Sequence, residues 1–138
     1  MPARSAASTA KPLDEKITIN LGYVDLGQID LLVQEGFYAN RTDVIRTAIR
    51  NQLATHSEAV RQAAARKTLT LGVWHVSKAD LQALKAAGET IDIRVLGLAS
   101  IDPAVSPELA AATISSLTVL GALHASPAVK AALRQRIR

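Results

Sequence analysis

The sequence predicts an α+β protein built from two unlike parts, and three observations carry that prediction. Residues 15–21, EKITINL, alternate strictly between polar and apolar, the period of a strand with one buried face. Two stretches of helical period follow it with no strand between them. From Thr68 the segments LTLGVW, RVLGLA and TVLGAL align on Leu-Gly, with Gly72, Gly97 and Gly121 spaced 25 and 24 residues apart.

Taken in order, Ile17, Ile19 and Leu21 lie on one face of the first strand and Lys16, Thr18 and Asn20 on the other. Gly22 and Tyr23 break the alternation. A helix is expected from Asp25, where an Asp cap and Gln28 make a capping-box pattern. Leu26, Ile29, Leu32 and Val33 form its stripe, and Gly36 stops it. Asn40 is the expected cap of the second helix, with Asp43 reaching back. The stripe of that helix is Val44, Ile45, Ala48, Ile49 and Leu53. SEAVRQAAARK then has high helix propensity but no large apolar stripe, which marks residues 57–67 as a helical connector.

Each later copy reads as strand, turn and short helix, with Ser77, Ser106-Pro107 and Ser126-Pro127 as helix starts. Three such copies suggest a small β/α solenoid with strands in a parallel ladder over residues 68–138. A glycine inside each strand, recurring in register, suggests a close backbone approach or a bulge at every rung. Leu21-Gly22 also matches the repeat dipeptide, but two consecutive helices follow it, so it is read as coincidence. Residues 1–14, with Arg4 and Lys11 among Ser, Ala and Pro, read as a flexible basic arm.

Composition narrows the function classes. The chain has 138 residues, 49% of them hydrophobic, so a wholly disordered chain is excluded. It has no cysteine, which removes disulfides, thiolate metal sites and cysteine nucleophiles. Net charge is +4, shared evenly: residues 1–67 carry 9 basic and 7 acidic groups, residues 68–138 carry 7 and 5. The excess permits an anionic partner without localising it. No apolar run is long enough to span a bilayer. No carboxylate pair, nucleophile elbow, phosphate loop or metal cluster stands out, so no enzyme, cofactor or metal is expected. A cytoplasmic, nucleoid-associated protein is expected.

One strand and two helices cannot bury a core alone, and the simplest remedy is a homodimer whose strands pair antiparallel about a two-fold axis. Its polar face would then present Lys16, Thr18 and Asn20 twice. Such a ribbon fits the DNA major groove, where Lys reads guanine, Asn reads adenine and Thr serves either.

With EKITINL, a helix stopped by Gly36, and FYANRTDVIRTAIRNQL, residues 15–56 resemble the ribbon-helix-helix DNA-binding proteins of the CopG/Arc/MetJ type. The resemblance implies a β-α-α unit in an intertwined dimer. It assigns base contacts to Lys16, Thr18 and Asn20 and phosphate contacts to Asn40, Arg41 and Thr42. Independently, the free N–H groups and positive dipole end of the second helix favour an anion. Ile17, Ile19, Leu21, Phe37, Val44, Ile45 and Ile49 are expected in the dimer core. The family often starts its first helix with Ser or Pro; Gly22-Tyr23 departs from that.

The expected function is a sequence-specific transcriptional regulator, a repressor, acting on double-stranded DNA. The repeats would serve oligomerisation, effector binding or a protein partner. Two other readings are an antitoxin that captures a partner through residues 68–138, and a nucleoid-organising or filament-forming protein. Arg46 and Arg50 are read as solvated flank residues, and Trp74 as the seal of the stack. His75, Ser100 and His124 fall in one column, with the two histidines about 10 Å apart, too far to share a zinc.

Overall fold

The computed structural model describes residues 14–138. The predicted arm, apart from Asp14, lies outside them. The chain divides into two compact units between Thr55 and His56.

In the first unit, residues 14–22 form neither helix nor strand. This departs from the strand expected over 15–21, and the reason is the missing partner. A strand is defined by a ladder of hydrogen bonds, and a single chain offers this segment none. Helix α1 (Tyr23–Gln34) starts three residues before the expected site, with Gly22 rather than Asp25 at its N-cap and no side-chain cap. Asp25 is therefore not the cap; it sits in the first turn, where its charge faces the positive end of the helix dipole. The C-terminus does end at Gly36, as the sequence indicates. Gly36 takes φ 83°, its N–H bonds to Val33 O (3.1 Å), and the Phe37 N–H bonds to Leu32 O (3.0 Å). That is a Schellman closure, which needs a left-handed residue at this point. Helix α2 runs over Arg41–Thr55. It begins as expected at Asn40, whose Oδ1 accepts the Asp43 N–H at 2.8 Å.

Within this unit only Val44 is buried among the described residues, and Ile45 is half-buried. Ile17, Ile19, Leu21, Phe37 and Ile49 are exposed, with Ile17 at 75% and Phe37 at 71%. The seven residues expected in the dimer core thus form no core within one chain.

The second unit opens with α3 (Ser57–Arg66). It closes in another Schellman arrangement, Leu69 N–H to Ala64 O and Thr68 N–H to Ala65 O, with Thr68 in the left-handed position at φ 57°. Three strands follow, β1 (Thr70–Val76), β2 (Ile91–Ile101) and β3 (Ile114–His124). They pair in parallel in the order β1-β2-β3. Gly72, Gly97 and Gly121 share one rung, so the alignment read from sequence is the register of the sheet.

Between and after the strands lie α4 (Lys78–Ala87), α5 (Pro107–Thr113) and α6 (Pro127–Ala132). Each starts at its predicted serine. Ser77 Oγ accepts from Asp80 N–H (3.1 Å), Ser106 Oγ from Leu109 N–H (3.1 Å) and Ser126 Oγ from Val129 N–H (3.2 Å). The last helix, which its sequence pattern carries from Ser126 through Arg136, is shorter: it stops at Ala132 and a 3-10 turn spans Arg134–Arg136.

The helices pack beside one another against one face of the sheet. Leu81, Ile93, Val95, Ile114, Leu117, Val129 and Leu133 are fully buried there, with Trp74, Val119 and Leu123 packed around them. This core is almost purely aliphatic, which accounts for the high apolar fraction with few aromatics. Its one buried polar side chain, Thr113, donates to Leu109 O at 2.6 Å. Arg136 donates to Ala111 O and to Ile114 O (2.8 Å), tying the chain's last turn to the start of β3.

Candidate nucleic-acid interface

Two groups of residues were expected to meet DNA, and both lie in the first unit. Lys16, Thr18 and Asn20 are exposed in the extended-pattern segment before α1. Ile17, Ile19 and Leu21, which alternate with them, are exposed as well. In one chain the polar and apolar sets are therefore not yet separated into a wet and a dry face. That separation requires something to cover the apolar set.

The second group sits where α2 begins. Asn40 caps with its side chain, and Asp43 Oδ2 accepts the Ala39 N–H at 3.0 Å. The back-reach of Asp43 thus lands one residue earlier than a capping box would place it. Asn40 and Asp43 satisfy one another's neighbourhood and leave the first-turn N–H groups of Arg41 and Thr42 without an intrahelical acceptor. Those two donors lie at the positive end of a 15-residue helix, an arrangement that favours a negative charge nearby.

Arg41, expected at a phosphate, is engaged within the chain. Its guanidinium meets Asp30 on α1 side-on, Nε to Oδ1 at 2.7 Å and Nη2 to Oδ2 at 2.9 Å. Both side chains remain about half exposed. The hydrogen bond from Arg41 holds the Asp30 carboxyl below the usual carboxylate range, and the same bond raises the guanidinium. Arg41 therefore joins the two helices and presents a partly neutralised charge. Sequence reasoning missed Asp30, because an acid 11 residues away on another helix leaves no periodic signal. Arg46 and Arg50 are exposed on α2, Tyr38 is half-buried, and Phe37 is exposed.

The second unit contributes other polar groups. His75, Ser100 and His124 occupy one register column as expected, and His75 Nδ1 lies 3.3 Å from Ser100 Oγ. Asp92 accepts from Ser116 and from Arg94 Nε (2.9 Å), and these bonds, Ser116's first, hold its carboxyl low. Among the described residues no cluster of His, Asp or Glu could hold a metal ion. Among them, too, no helix is long and apolar enough to cross a membrane.

A model of the ribbon-helix-helix transcriptional regulator family matches residues 12–130. The match is wider than the resemblance seen in residues 15–56, because it runs on through the three strand-helix copies. No curated protein and no solved structure matches the chain.

Proposed function

From the premise that the chain belongs to the ribbon-helix-helix transcriptional regulator family, we propose that it is a homodimeric repressor that reads a DNA operator through an antiparallel two-stranded ribbon. Residues 15–21 of two copies form that ribbon. Lys16, Thr18 and Asn20 meet base edges, and Asn40, Arg41 and Thr42 with the first N–H groups of α2 meet phosphates.

The observation that carries this reading is the state of the first unit in a single chain. An alternating segment has no ladder partner, and large apolar side chains beside it are exposed. Exposed apolar surface of that kind marks an interaction site. Pairing two such segments supplies both the missing hydrogen bonds and cover for Ile17, Ile19 and Leu21. The polar set is then left on the outer face, where base edges are read. The repeats of residues 68–138 are read as a small β/α solenoid serving assembly or effector binding.

The test is the triple variant Lys16→Ala, Thr18→Ala, Asn20→Ala. It should remain a folded dimer and lose preference for its operator, at roughly 1–3 kcal/mol per lost base contact. Undiminished preference would show that the ribbon does not read bases.

A further inference from the structure

The three-stranded sheet has two unlike edges. Among the described residues β1 is paired only to β2, and β3 is paired only to β2 and, at one point, to Ile137. The glycine rung runs through both edges. Gly97 takes φ 140°, and a Cβ placed there would overlap the carbonyl oxygen of Gly72. Gly121 takes φ 122°, and a Cβ there would overlap the carbonyl oxygen of Gly97. Each of these glycines is a socket for the carbonyl of the strand before it. Gly72 takes the same kind of conformation, φ 120°, with nothing within 4 Å of where its Cβ would stand. It is an empty socket, and Gly121 at the far edge is the one member of the rung with no strand after it.

We propose that a second copy of the chain fills that socket. β3 of one molecule pairs in parallel with β1 of the next, and the register of the sheet continues across the joint. Gly121 then lies beside Gly72, Val119 beside Thr70, Ala122 beside Val73 and Leu123 beside Trp74.

Three further features fit this occupant. Among the described residues, the segment after α6 meets the free edge of β3 only at Leu117, through the Ile137 bridge and the Arg138 N–H to Leu117 O (2.7 Å). β1 starts at the register of Val95 and Val119, so it would begin just past that cover. The open stretch of β3, Val119–His124, thus matches the first six of the seven residues of β1. Neither TLGVWHV nor VLGALH holds a Lys, Arg, Asp, Glu or Pro, the residues that ordinarily keep sheet edges apart. On the sheet face away from the helices, the rows Leu71-Leu96-Leu120 and Val73-Leu98-Ala122 expose three large apolar side chains at the edges: Leu71 75%, Val73 65%, Leu120 48%. A neighbour would extend both rows.

The two edges differ, so the contact is head-to-tail and each added copy leaves a new open edge. Dimers held through residues 15–21 would thereby be linked into longer assemblies. This rests on the reading of the repeats as an assembly element and is independent of base reading.

The natural absence of cysteine allows a clean test in the full-length protein. In Val73→Cys/Ala122→Cys, the two sites of one chain are separated by β2, about 9.6 Å, too far to bridge. Across the joint they are direct neighbours. Mild oxidation should give a ladder of covalent trimers and larger species on a denaturing gel, and neither single variant should cross-link. Covalent dimers from Val73→Cys alone would mean that like edges or like faces meet, and would overturn the proposal. So would a natively folded double variant that stays monomeric on the gel.

The unmodified protein gives a second measurement that needs no variant. With rising concentration its sedimentation should pass beyond the dimer, together with a blue shift of the emission of Trp74, the only tryptophan. A constant dimer with constant emission overturns the proposal. Val73→Cys/Ala122→Cys combined with the Lys16/Thr18/Asn20 triple substitution should form the same ladder, so a failure of base reading and a failure of stacking are separately visible.

Discussion

Arg41 grips Asp30 with two parallel hydrogen bonds, at 2.7 and 2.9 Å, fastening the start of α2 to α1 at the corner proposed to face a phosphate. The pair has two measurable consequences. Asp30→Asn removes a negative charge beside the DNA and releases the guanidinium. Binding should tighten roughly two- to tenfold at low salt, and the gain should vanish at high salt as screening grows. Titration of the Asp30 carboxyl by NMR should place its midpoint below the ordinary 3.8. The contribution of the pair to stability is fully present above 3.8 and is lost as pH falls through the lowered folded value. Both groups are solvent-exposed, so the effect on overall stability is small.

Ile19 tests the dimer. It is exposed in the single chain, and the proposed ribbon would bury it twice. Ile19→Asp should weaken self-association at least about 100-fold, or roughly 2.7 kcal/mol, because each dimer would bury two carboxylates. Sedimentation equilibrium reads this directly. Lys16→Ala, on the opposite face, should leave the association constant within a few-fold of the parent.

The glycine rung predicts an asymmetry between equal substitutions. Gly97→Ala meets both a positive φ and the Gly72 carbonyl, and should destabilise the protein by about 3 kcal/mol or more in urea unfolding. In dilute solution, where copies are not stacked, Gly72→Ala meets only the unfavourable φ and should cost about 1–2 kcal/mol. Equal losses at the two sites would contradict the close approach.

Thr68 is the only described residue other than glycine with positive φ. A β-branched side chain is poorly suited to that position, so Thr68→Gly should stabilise by about 0.5–1 kcal/mol, read as a rise in Tm.

Arg136 closes the repeat unit by donating to Ala111 O and Ile114 O. Arg136→Ala leaves those carbonyls without that donor and should cost about 1–3 kcal/mol. If the last turn then frays from Leu117, amide exchange at Arg138 and around β3 should quicken together.

Local signals in the sequence were sufficient wherever the structure is made by neighbours in the chain. Ser77, Ser106 and Ser126 bond N–H groups three residues on, so their capping roles are written within a few positions. The stop at Gly36 and the cap at Asn40 are likewise short-range. Asp25 misled because a cap-like pattern does not say where helical geometry begins; Gly22 and Tyr23 entered the helix earlier without a side-chain cap.

The sequence by itself determined the α+β class, the Leu-Gly register and the site residues worth testing. Periodicity and spacing survive in a linear string, so a strand face, a helix stripe and a repeat can be counted there. Tertiary structure decided what no spacing encodes. It placed Asp30 against Arg41, made Gly97 a socket for the Gly72 carbonyl, and left β1 and β3 as the two edges of the sheet. It also left residues 14–22 without strand pairing in one chain. The physical reason is common to all four: hydrogen bonds and close contacts between distant segments depend on where chains meet, and each needs a partner that its own neighbourhood does not contain.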